Sequence, residues 1–275
     1  MSPAPPRRRR PPTTTASGLG GDQVEGRRAV RELLVAGRRR VRDIWVSEAV
    51  ASSPPLLEII ELARAQGVAV RTLARTRLDA AARTEAPQGV IAHAEPLQEA
   101  DLDDLCRAVP GRPAPFLLAF DGITDPHNLG ALIRTAACAG ATGAILTQHR
   151  SAHVTPTVAK VAAGGIEHLP LALVSGLPAA LARLRTAGVW VVGLDPDGPT
   201  SVFDLTLATE PVALVLGAEG GGLSRLVQQR CDMLVSIPRG GGPESLNVSA
   251  AGAVACYEVV RRRQADTENM SDLSE

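Results

Sequence analysis

Aromatic residues are scarce in this sequence of 275 residues. Phe, Trp and Tyr make up 2% of the chain although 45% of it is apolar, so its core must be built from Ala, Val and Leu. This scarcity argues against a surface that stacks bases on aromatic rings, and we interpret Trp45, Trp190 and Tyr257 as packing residues. The length allows one large domain or two modest ones.

The sequence also lacks the usual signals of metal sites, disulfides and membrane spans. The four cysteines show no spacing typical of a metal or redox site, which indicates small core residues in a reducing cytoplasm. No apolar run reaches about 18 residues without a charge, and no apolar segment follows the N-terminal arginines. We therefore expect a cytoplasmic protein with no bound metal, membrane span or secretory signal. The cysteines are Cys106, Cys138, Cys231 and Cys256.

Lysine is almost absent, since Lys160 is the only one, and the formal net charge is +0. Arginines are concentrated at one end, where residues 1–45 hold 11 arginines and 4 acidic residues. Because the guanidinium fork can bind a phosphate through two hydrogen bonds, this end predicts nucleic acid as a partner. For Arg7–Arg10 a coding bias toward arginine in a solvated tail explains the run equally well.

Composition divides the chain into five segments. Residues 1–22 are rich in Pro, Arg, Thr and Gly, which predicts a disordered basic arm. Residues 23–94 contain two amphipathic helical patterns and several short strand patterns, which are typical of a small α/β unit. Residues 95–113 form the expected linker, residues 114–264 a larger α/β unit, and residues 265–275 an acidic disordered tail.

The larger unit alternates strand-like apolar runs with helical patterns. This alternation predicts an α/β fold with a mostly parallel sheet covered on both faces, in which ligands bind at the carboxyl ends of the strands. Three loops at those ends, residues 121–134, 217–224 and 238–249, hold the unusual residues. The strand-like runs are residues 116–123, 142–149, 188–195, 211–220 and 233–241.

The first of these loops is "DGITDPHNLGALIRTA". Asp125 and Pro126 predict a turn, and Asn128 is placed to cap the helix that follows. Arg134 would lie nearly two turns into that helix. Its alanine neighbours indicate a helix that packs closely and leaves little free surface, which favours a functional arginine, but an ordinary surface arginine is an equal alternative.

The other two loops are rich in glycine. "LVLGAEGGGLS" places Glu219 among glycines and has neither the Rossmann spacing nor a Walker lysine, so a nucleotide-binding α/β enzyme would lack its phosphate cradle. "IPRGGGPESLNVSAA" places Ser245, Asn247 and Ser249 at every second position where a helix begins. One such residue suffices as an N-cap, so three of them after glycines indicate a ligand that is bound against the main chain. No Gly-x-Ser-x-Gly elbow marks a serine as a hydrolase nucleophile.

Together, "DPHNLGALIRTA", "LVLGAEGGGLS" and "IPRGGGPESLNVSAA" resemble the three motifs of the SpoU (TrmH-type) branch of the SPOUT RNA methyltransferases, in matching order and spacing. The resemblance covers residues 114–263 and extends more weakly, through "EGRRAVRELL" and "PQGVIA", over the first unit. It implies methyl transfer from S-adenosylmethionine to a ribose 2′-hydroxyl of structured RNA. It also implies a deep C-terminal trefoil knot, a homodimer paired near the knot, and a ribosomal-protein-like N-terminal domain that selects the RNA.

The resemblance further implies which residues form the site. Those for cofactor contacts are Gly217, Ile237 and Leu246, and those for the catalytic site are Asn128, Arg134, Glu219, Ser245 and Asn247. Arg134 is the family's candidate for deprotonating the 2′-hydroxyl. Because arginine hardly ever loses its proton, we expect Arg134 to bind a phosphate and orient the hydroxyl instead. Arg239 and Pro243–Glu244 depart from the family pattern, in which methionine usually follows Ile-Pro.

Several substrates and one different role are compatible with these motifs. The full-length resemblance, including "KVAAGGIEHLPL", favours the 23S rRNA guanosine 2′-O-methyltransferases that act near the peptidyl-transferase centre. Alternatives in the same class are methylation of tRNA or of a resistance-determining rRNA adenosine. An alternative of another class is a non-catalytic RNA-binding factor for ribosome assembly, against which the presence of all five catalytic-site residues argues.

Overall fold

The computed structural model describes residues 18–149, 153–241 and 245–272. The elements of the first unit are β1 (Gln23–Glu25), α1 (Arg27–Ala36), β2 (Val41–Ser47), α2 (Pro54–Ala65), β3 (Ala69–Leu73), α3 (Arg75–Ala81) and β4 (Val90–Ala94). In the described part of the chain its sheet has the order β1-β4-β2-β3. Strands β2 and β3 are parallel, whereas β4 is antiparallel to both of its neighbours.

Helix α1 shows how local sequence produces the first unit. It ends at Gly37, whose left-handed φ of 59° stops the helix without the strain that a side chain would bring. Val30, Leu33 and Leu34 share one face, as their spacing predicts, and all three are buried. This face packs with α2 onto the sheet and forms a small core that belongs to the first unit.

The second unit is built around a larger sheet. Its elements are α4 (Leu102–Cys106), β5 (Phe116–Asp121), α5 (Pro126–Cys138), β6 (Gly143–Thr147), α6 (Pro156–Val161), β7 (Leu171–Val174), α7 (Leu177–Thr186), β8 (Trp190–Leu194), β9 (Thr200–Ser201), β10 (Val212–Gly217), α8 (Arg225–Gln228), β11 (Met233–Ser236) and α9 (Val248–Asp272). The described strands have the order β7-β6-β5-β10-β8-β11-β9, and every pair is parallel. The predicted parallel α/β sheet is therefore confirmed.

Helices cover both faces of this sheet. Helices α5, α6 and α9 pack on one face, and α4, α7 and α8 pack on the other. Because both faces are buried, a central strand contains a continuous apolar run instead of an alternating one, and β10 is buried along its whole length. The parallel arrangement brings the carboxyl ends of β5, β8, β10 and β11 to one edge, where the three unusual loops lie.

The ordered chain is longer at both ends than the sequence predicts. Leu19 lies within the predicted arm of residues 1–22, yet it is 2% exposed, and the neighbouring Gly20 pairs with Val154 of the second unit. Helix α9 continues to Asp272, although composition predicts a disordered tail from residue 265. The rest of the predicted arm and tail, residues 1–17 and 273–275, lies outside the described residues.

Two further differences concern the interior. The predicted linker, residues 95–113, contains the short helix α4, and its apolar side chains are buried against α7. Strands β7 and β9, of four and two residues, do not lie in any of the predicted strand-like runs.

Three predicted packing residues are exposed. Trp190 is 43% and Tyr257 50% exposed, and Cys138 lies on the surface near the end of α5. Cys256 is a core residue as predicted, and burial raises the pKa of its thiol to about 12.

No helix in the described ranges is long and apolar enough to cross a membrane. The same ranges contain no cluster of His, Cys, Asp and Glu arranged to hold a metal ion.

Candidate active site

Side chains from the three loops meet in one hydrogen-bonded cluster. The Asn128 Nδ2 group donates to Oε2 of Glu219 over 3.0 Å. The Asn247 Nδ2 group donates both to Oδ1 of Asn128, over 3.0 Å, and to Oε1 of Glu219, over 2.9 Å. Asn128 is 6% exposed, so its amide is both buried and satisfied. We call these three residues the Asn128–Glu219–Asn247 cluster.

The alternating polar residues at the start of α9 have separate positions in this arrangement. The Oδ1 atom of Asn247 accepts hydrogen bonds from the Ser249 backbone amide, at 2.9 Å, and from its hydroxyl, at 2.6 Å. Asn247 is thus the N-cap of α9, and the cap leaves its Nδ2 group facing the cluster. Ser245 is exposed and precedes the helix. Asn247 caps the helix, Ser245 precedes it, and Ser249 lies in its first turn.

Asn128 does not cap α5, contrary to its predicted role. The cap is Asp125, whose Oδ1 atom accepts from the backbone amide of His127 at 3.0 Å, and Pro126 occupies the first helical position. Asn128 therefore lies within the first turn of the helix. Since the cap is supplied elsewhere, its side chain is available for Glu219.

A compact glycine loop presents Glu219 to the cluster. Ala218 and Gly222 exchange two backbone hydrogen bonds, of 3.1 and 2.8 Å, so the loop folds back over the end of β10. A Cβ atom at Gly217 would lie 2.2 Å from the carbonyl carbon of Gly222. Only glycine fits at residue 217, because the loop backbone occupies the space of a side chain.

A cavity of 540 Å³ opens beside this loop. All three predicted cofactor residues line it, together with Glu219 and Ser245 of the predicted catalytic set. The described lining residues are Leu194, Asp195, Pro196, Asp197, Leu216, Gly217, Ala218, Glu219, Gly220, Gly222, Val235, Ile237, Arg239, Ser245, Leu246, Val248 and Ala251. Its volume and mixed lining suit a ligand with an apolar heterocycle and charged ends, and its carboxylates suit a cationic group such as a sulfonium.

One wall of the cavity was not predicted from the sequence. It is the loop after β8, in which Asp195 Oδ1 accepts from the Asp197 amide at 2.9 Å and Oδ2 from Gln228 Nε2 at 2.9 Å. The Asp197 carboxylate lies 4.0 Å from the guanidinium of Arg239, which also lines the cavity. The available signal was "LDPDG", a turn sequence at the carboxyl end of a parallel strand.

Arg134 lies apart from the cluster. It is six residues beyond Asn128, about 9 Å further along α5, and it is not among the described residues that line the cavity. Its side chain is exposed, contrary to the expectation of little free surface. It lines a second cavity, of 470 Å³, between α1 of the first unit and α5 of the second, which we call the interdomain groove.

Comparisons with known proteins give family matches for both units. The SpoU rRNA methylase family matches residues 115–257, and the RNA 2′-O ribose methyltransferase substrate-binding family matches residues 23–100. The 23S rRNA (guanosine-2′-O-)-methyltransferase RlmB of Pseudomonas putida is 40% identical over 246 residues, which cover 88% of this chain and 97% of that protein. RlmB of Haemophilus influenzae is 39% identical over 246 residues, which cover 88% and 98%.

A solved structure extends the similarity to three dimensions. The SpoU methyltransferase AviRb from Streptomyces viridochromogenes, in complex with the cofactor AdoMet, matches with a TM-score of 0.73 and 30% identity over 88% of this chain and 90% of that one. The three loops meet at one sheet edge, and both units match family descriptions over nearly their whole lengths. This chain therefore belongs to the SpoU rRNA methylase family of RNA methyltransferases.

Proposed function

We propose that this protein transfers a methyl group from S-adenosylmethionine to the ribose 2′-hydroxyl of a guanosine in 23S rRNA near the peptidyl-transferase centre, in the cytoplasm. The observation that carries the proposal is the Asn128–Glu219–Asn247 cluster, of which Glu219 lines the same cavity as Gly217, Ile237 and Leu246. The names of the RlmB relatives support rRNA guanosine as the substrate. The AdoMet complex of AviRb supports the methyl donor.

The cavity residues fit this donor by their chemistry. S-adenosylmethionine brings a sulfonium-bound methyl group that is already activated, so the protein has to align the acceptor and manage its proton. Gly217 admits a ligand to the main chain because no side chain separates them. Ile237 and Leu246 offer apolar surface for the adenosyl group, and the carboxylates of the cavity wall favour the positive charge.

Glu219 is the group that we assign to the acceptor hydroxyl. Each of its carboxylate oxygens accepts one asparagine amide and keeps a lone pair for a further hydrogen bond. The two amides fix the plane of the carboxylate before any substrate binds. In this position Glu219 can accept the hydrogen bond of the 2′-hydroxyl, and it would take the proton as the oxygen bonds to the methyl carbon and the donor's sulfur–methyl bond breaks. Ser245 lines the same cavity and can hold the ribose from the other side.

Arg134 is assigned to the RNA and not to the proton. A guanidinium hardly ever loses its proton, and this one lies in the interdomain groove, outside the cluster. Its charge and forked geometry suit a phosphate of the same RNA strand.

The proposal includes the trefoil knot and the homodimer that the family resemblance implies. The backfolded loop over Gly217 and the central position of β10 in a parallel sheet are compatible with a knotted fold. The half-exposed apolar surfaces of Leu246 and Tyr257, before and within α9, are compatible with pairing near the site. Light scattering in solution tests the dimer directly.

The deciding experiment is methyl incorporation from labelled S-adenosylmethionine into unmodified 23S rRNA and, separately, into bulk tRNA, followed by digestion to nucleosides. Labelled 2′-O-methylguanosine from 23S rRNA, lost in Glu219→Gln, is the expected result. A labelled adenosine, or label confined to tRNA, would identify a different substrate of the same chemistry. RNA binding without any binding of S-adenosylmethionine would identify a non-catalytic RNA-binding factor instead.

A further inference from the structure

The first unit is fixed to the second by a buried ion pair. Arg39 donates from Nε and Nη2 to the two carboxylate oxygens of Glu167, over 2.9 and 2.6 Å, and the side chains are 4% and 2% exposed. Its Nη1 group donates to the backbone oxygens of Gly21 and Glu95. A buried guanidinium with this many partners holds one orientation, so the two units meet in a defined geometry.

The segment of residues 162–168, within "KVAAGGIEHLPL", forms part of the contact between the units, beside the contacts of α6 with β1. A Cβ atom at Gly164 would lie 2.1 Å from Cβ of Glu32 on α1, and one at Gly165 would lie 3.2 Å from Cα of Arg134 on α5. The two glycines therefore let α1 and α5 approach the same stretch of main chain from opposite sides. The interdomain groove is the space that remains between these helices.

The charges that line this groove are unbalanced. Its ionisable lining residues in the described chain are Arg28, Arg31, Glu32, Arg134 and His168. Glu32 already has two partners: its carboxylate contacts His168 at 2.9 Å and, at 2.7 Å, Arg31, which also pairs with Glu58 at 2.7 Å. The hydrogen bonds from these two partners hold the pKa of Glu32 below its usual value although burial alone would raise it. The carboxylate therefore does not compete for the remaining arginines.

Arg28 and Arg134 are those remaining arginines. Both are exposed, and neither has an ion pair or a side-chain hydrogen bond within the residues that the structure describes. One comes from each unit, and the uncharged residues that line the groove are all small, namely Ala, Gly and Cys138, which leaves room for a ligand. None of the described lining residues is Phe, Tyr or Trp, and the ring of His168 contacts Glu32, so the groove suits a phosphate backbone better than a stacked base.

We propose that the interdomain groove binds a phosphodiester of the substrate RNA, held by Arg28 of the first unit and Arg134 of the second. The identity of that RNA as a methylation substrate rests on the proposed function, but the binding itself does not. Arg134 lies about 9 Å along α5 from Asn128. The groove therefore continues the path of a strand whose ribose lies at the Asn128–Glu219–Asn247 cluster, and Arg28 makes the first unit part of that path.

The test is the salt dependence of binding to an unmodified 23S rRNA transcript, measured by filter binding with the full chain and without S-adenosylmethionine. Arg28→Ala is expected to weaken binding about tenfold and to reduce the slope of log K against log salt by about one. Arg28→Lys keeps the charge and is expected to keep the slope. Arg64→Ala, which removes an exposed arginine of α2 outside the groove, is the matched control and should behave as the wild type.

A double variant tests whether the two arginines hold the same phosphate. If Arg28 and Arg134 hold one phosphate, the double alanine variant should lose less affinity than the two single losses combined. Binding by Arg28→Ala that equals binding by Arg64→Ala would overturn the groove proposal, as would a wild-type chain that does not bind the transcript. Methyl transfer together with binding that does not depend on Arg28 would contradict the groove proposal and leave the proposed function intact. Binding that depends on Arg28, without any methyl transfer, would support the groove proposal and contradict the proposed function.

Discussion

Helix α5 carries two functional polar side chains in opposite environments, Asn128 in its first turn and Arg134 further along. At its first turn Asn128 is buried, and Glu219 and Asn247 satisfy its amide. Further along, Arg134 is exposed in a groove with no partner in the described chain. The first arrangement is complete without a ligand, so it can hold a reacting group in a fixed position. The second keeps its charge available, as a surface that captures a phosphate must.

The strongest test of this difference is Glu219→Gln. The substitution preserves the size of the side chain but removes its negative charge and one of its acceptor atoms. We expect kcat to fall about 10²- to 10⁴-fold, because proton transfer loses its acceptor, whereas RNA affinity in the groove stays unchanged. Single-turnover methylation and filter binding measure the two quantities separately. A variant with normal kcat would contradict the role given to Glu219.

The interdomain groove, in which Arg134 lies, depends on the packing of the two units against each other. Arg39→Ala should weaken that packing. This variant leaves Glu167 charged and buried without a partner, and we expect the free energy of unfolding to fall by about 3–5 kcal/mol. Denaturant unfolding measures the loss. The control is Arg39→Met combined with Glu167→Leu, which removes both charges and should cost much less. Equal losses in the two variants would show that packing, not the ion pair, fixes the units.

A smaller effect separates the two roles of Asn247. Asn247→Ala removes the N-cap of α9 and both amide contacts, and should lower the free energy of unfolding by about 1 kcal/mol. Asn247→Asp keeps an acceptor for the Ser249 amide but places a second carboxylate beside Glu219. We therefore expect the Asp variant to retain more stability than the Ala variant while losing as much turnover. Thermal unfolding and methylation assays of both variants provide the comparison.

The smallest expected effect is a pH dependence at Glu32 in the groove. Since its pKa is lowered in the folded chain, its contribution to stability is complete above its ordinary pKa of 4.5 and is lost as the pH falls through the lower folded value. The slope of unfolding free energy against pH in this acid range should be shallower in Glu32→Gln. Identical slopes in wild type and variant would show that the pairs with Arg31 and His168 contribute nothing.

Sequence reasoning identified the cluster better than the groove, for a physical reason. Asn128, Glu219 and Asn247 follow the ends of strands in a parallel sheet, and that topology alone brings such residues together. The position of Arg134 depends on α1, which is about 100 residues earlier in the chain, and no local pattern encodes that contact. The exposed Trp190 and the helix α4 were missed for the same reason, because tertiary contacts decided them.

The remaining differences between prediction and structure concern short elements, a cavity wall and a helix end. Strand β9 has two residues, too few to show a period. The wall at Asp195–Asp197 had a turn signal but no unusual residue beside it. Helix α9 extends beyond the expected end, and Arg263, just before that end, donates to the backbone oxygens of Ala114, Pro115, Ala208 and Glu210 at the starts of two strands.

The Arg39–Glu167 pair has a consequence for exchanging modules between relatives. A first unit grafted onto another catalytic unit brings a guanidinium that needs a carboxylate in the recipient. It also needs a glycine at the place of Gly164, where a side chain would clash with α1. A recipient without them would bear a stranded charge and a steric clash at the junction. Chimeras intended to redirect RNA choice should therefore be cut so that residues 162–168 travel with residues 23–94.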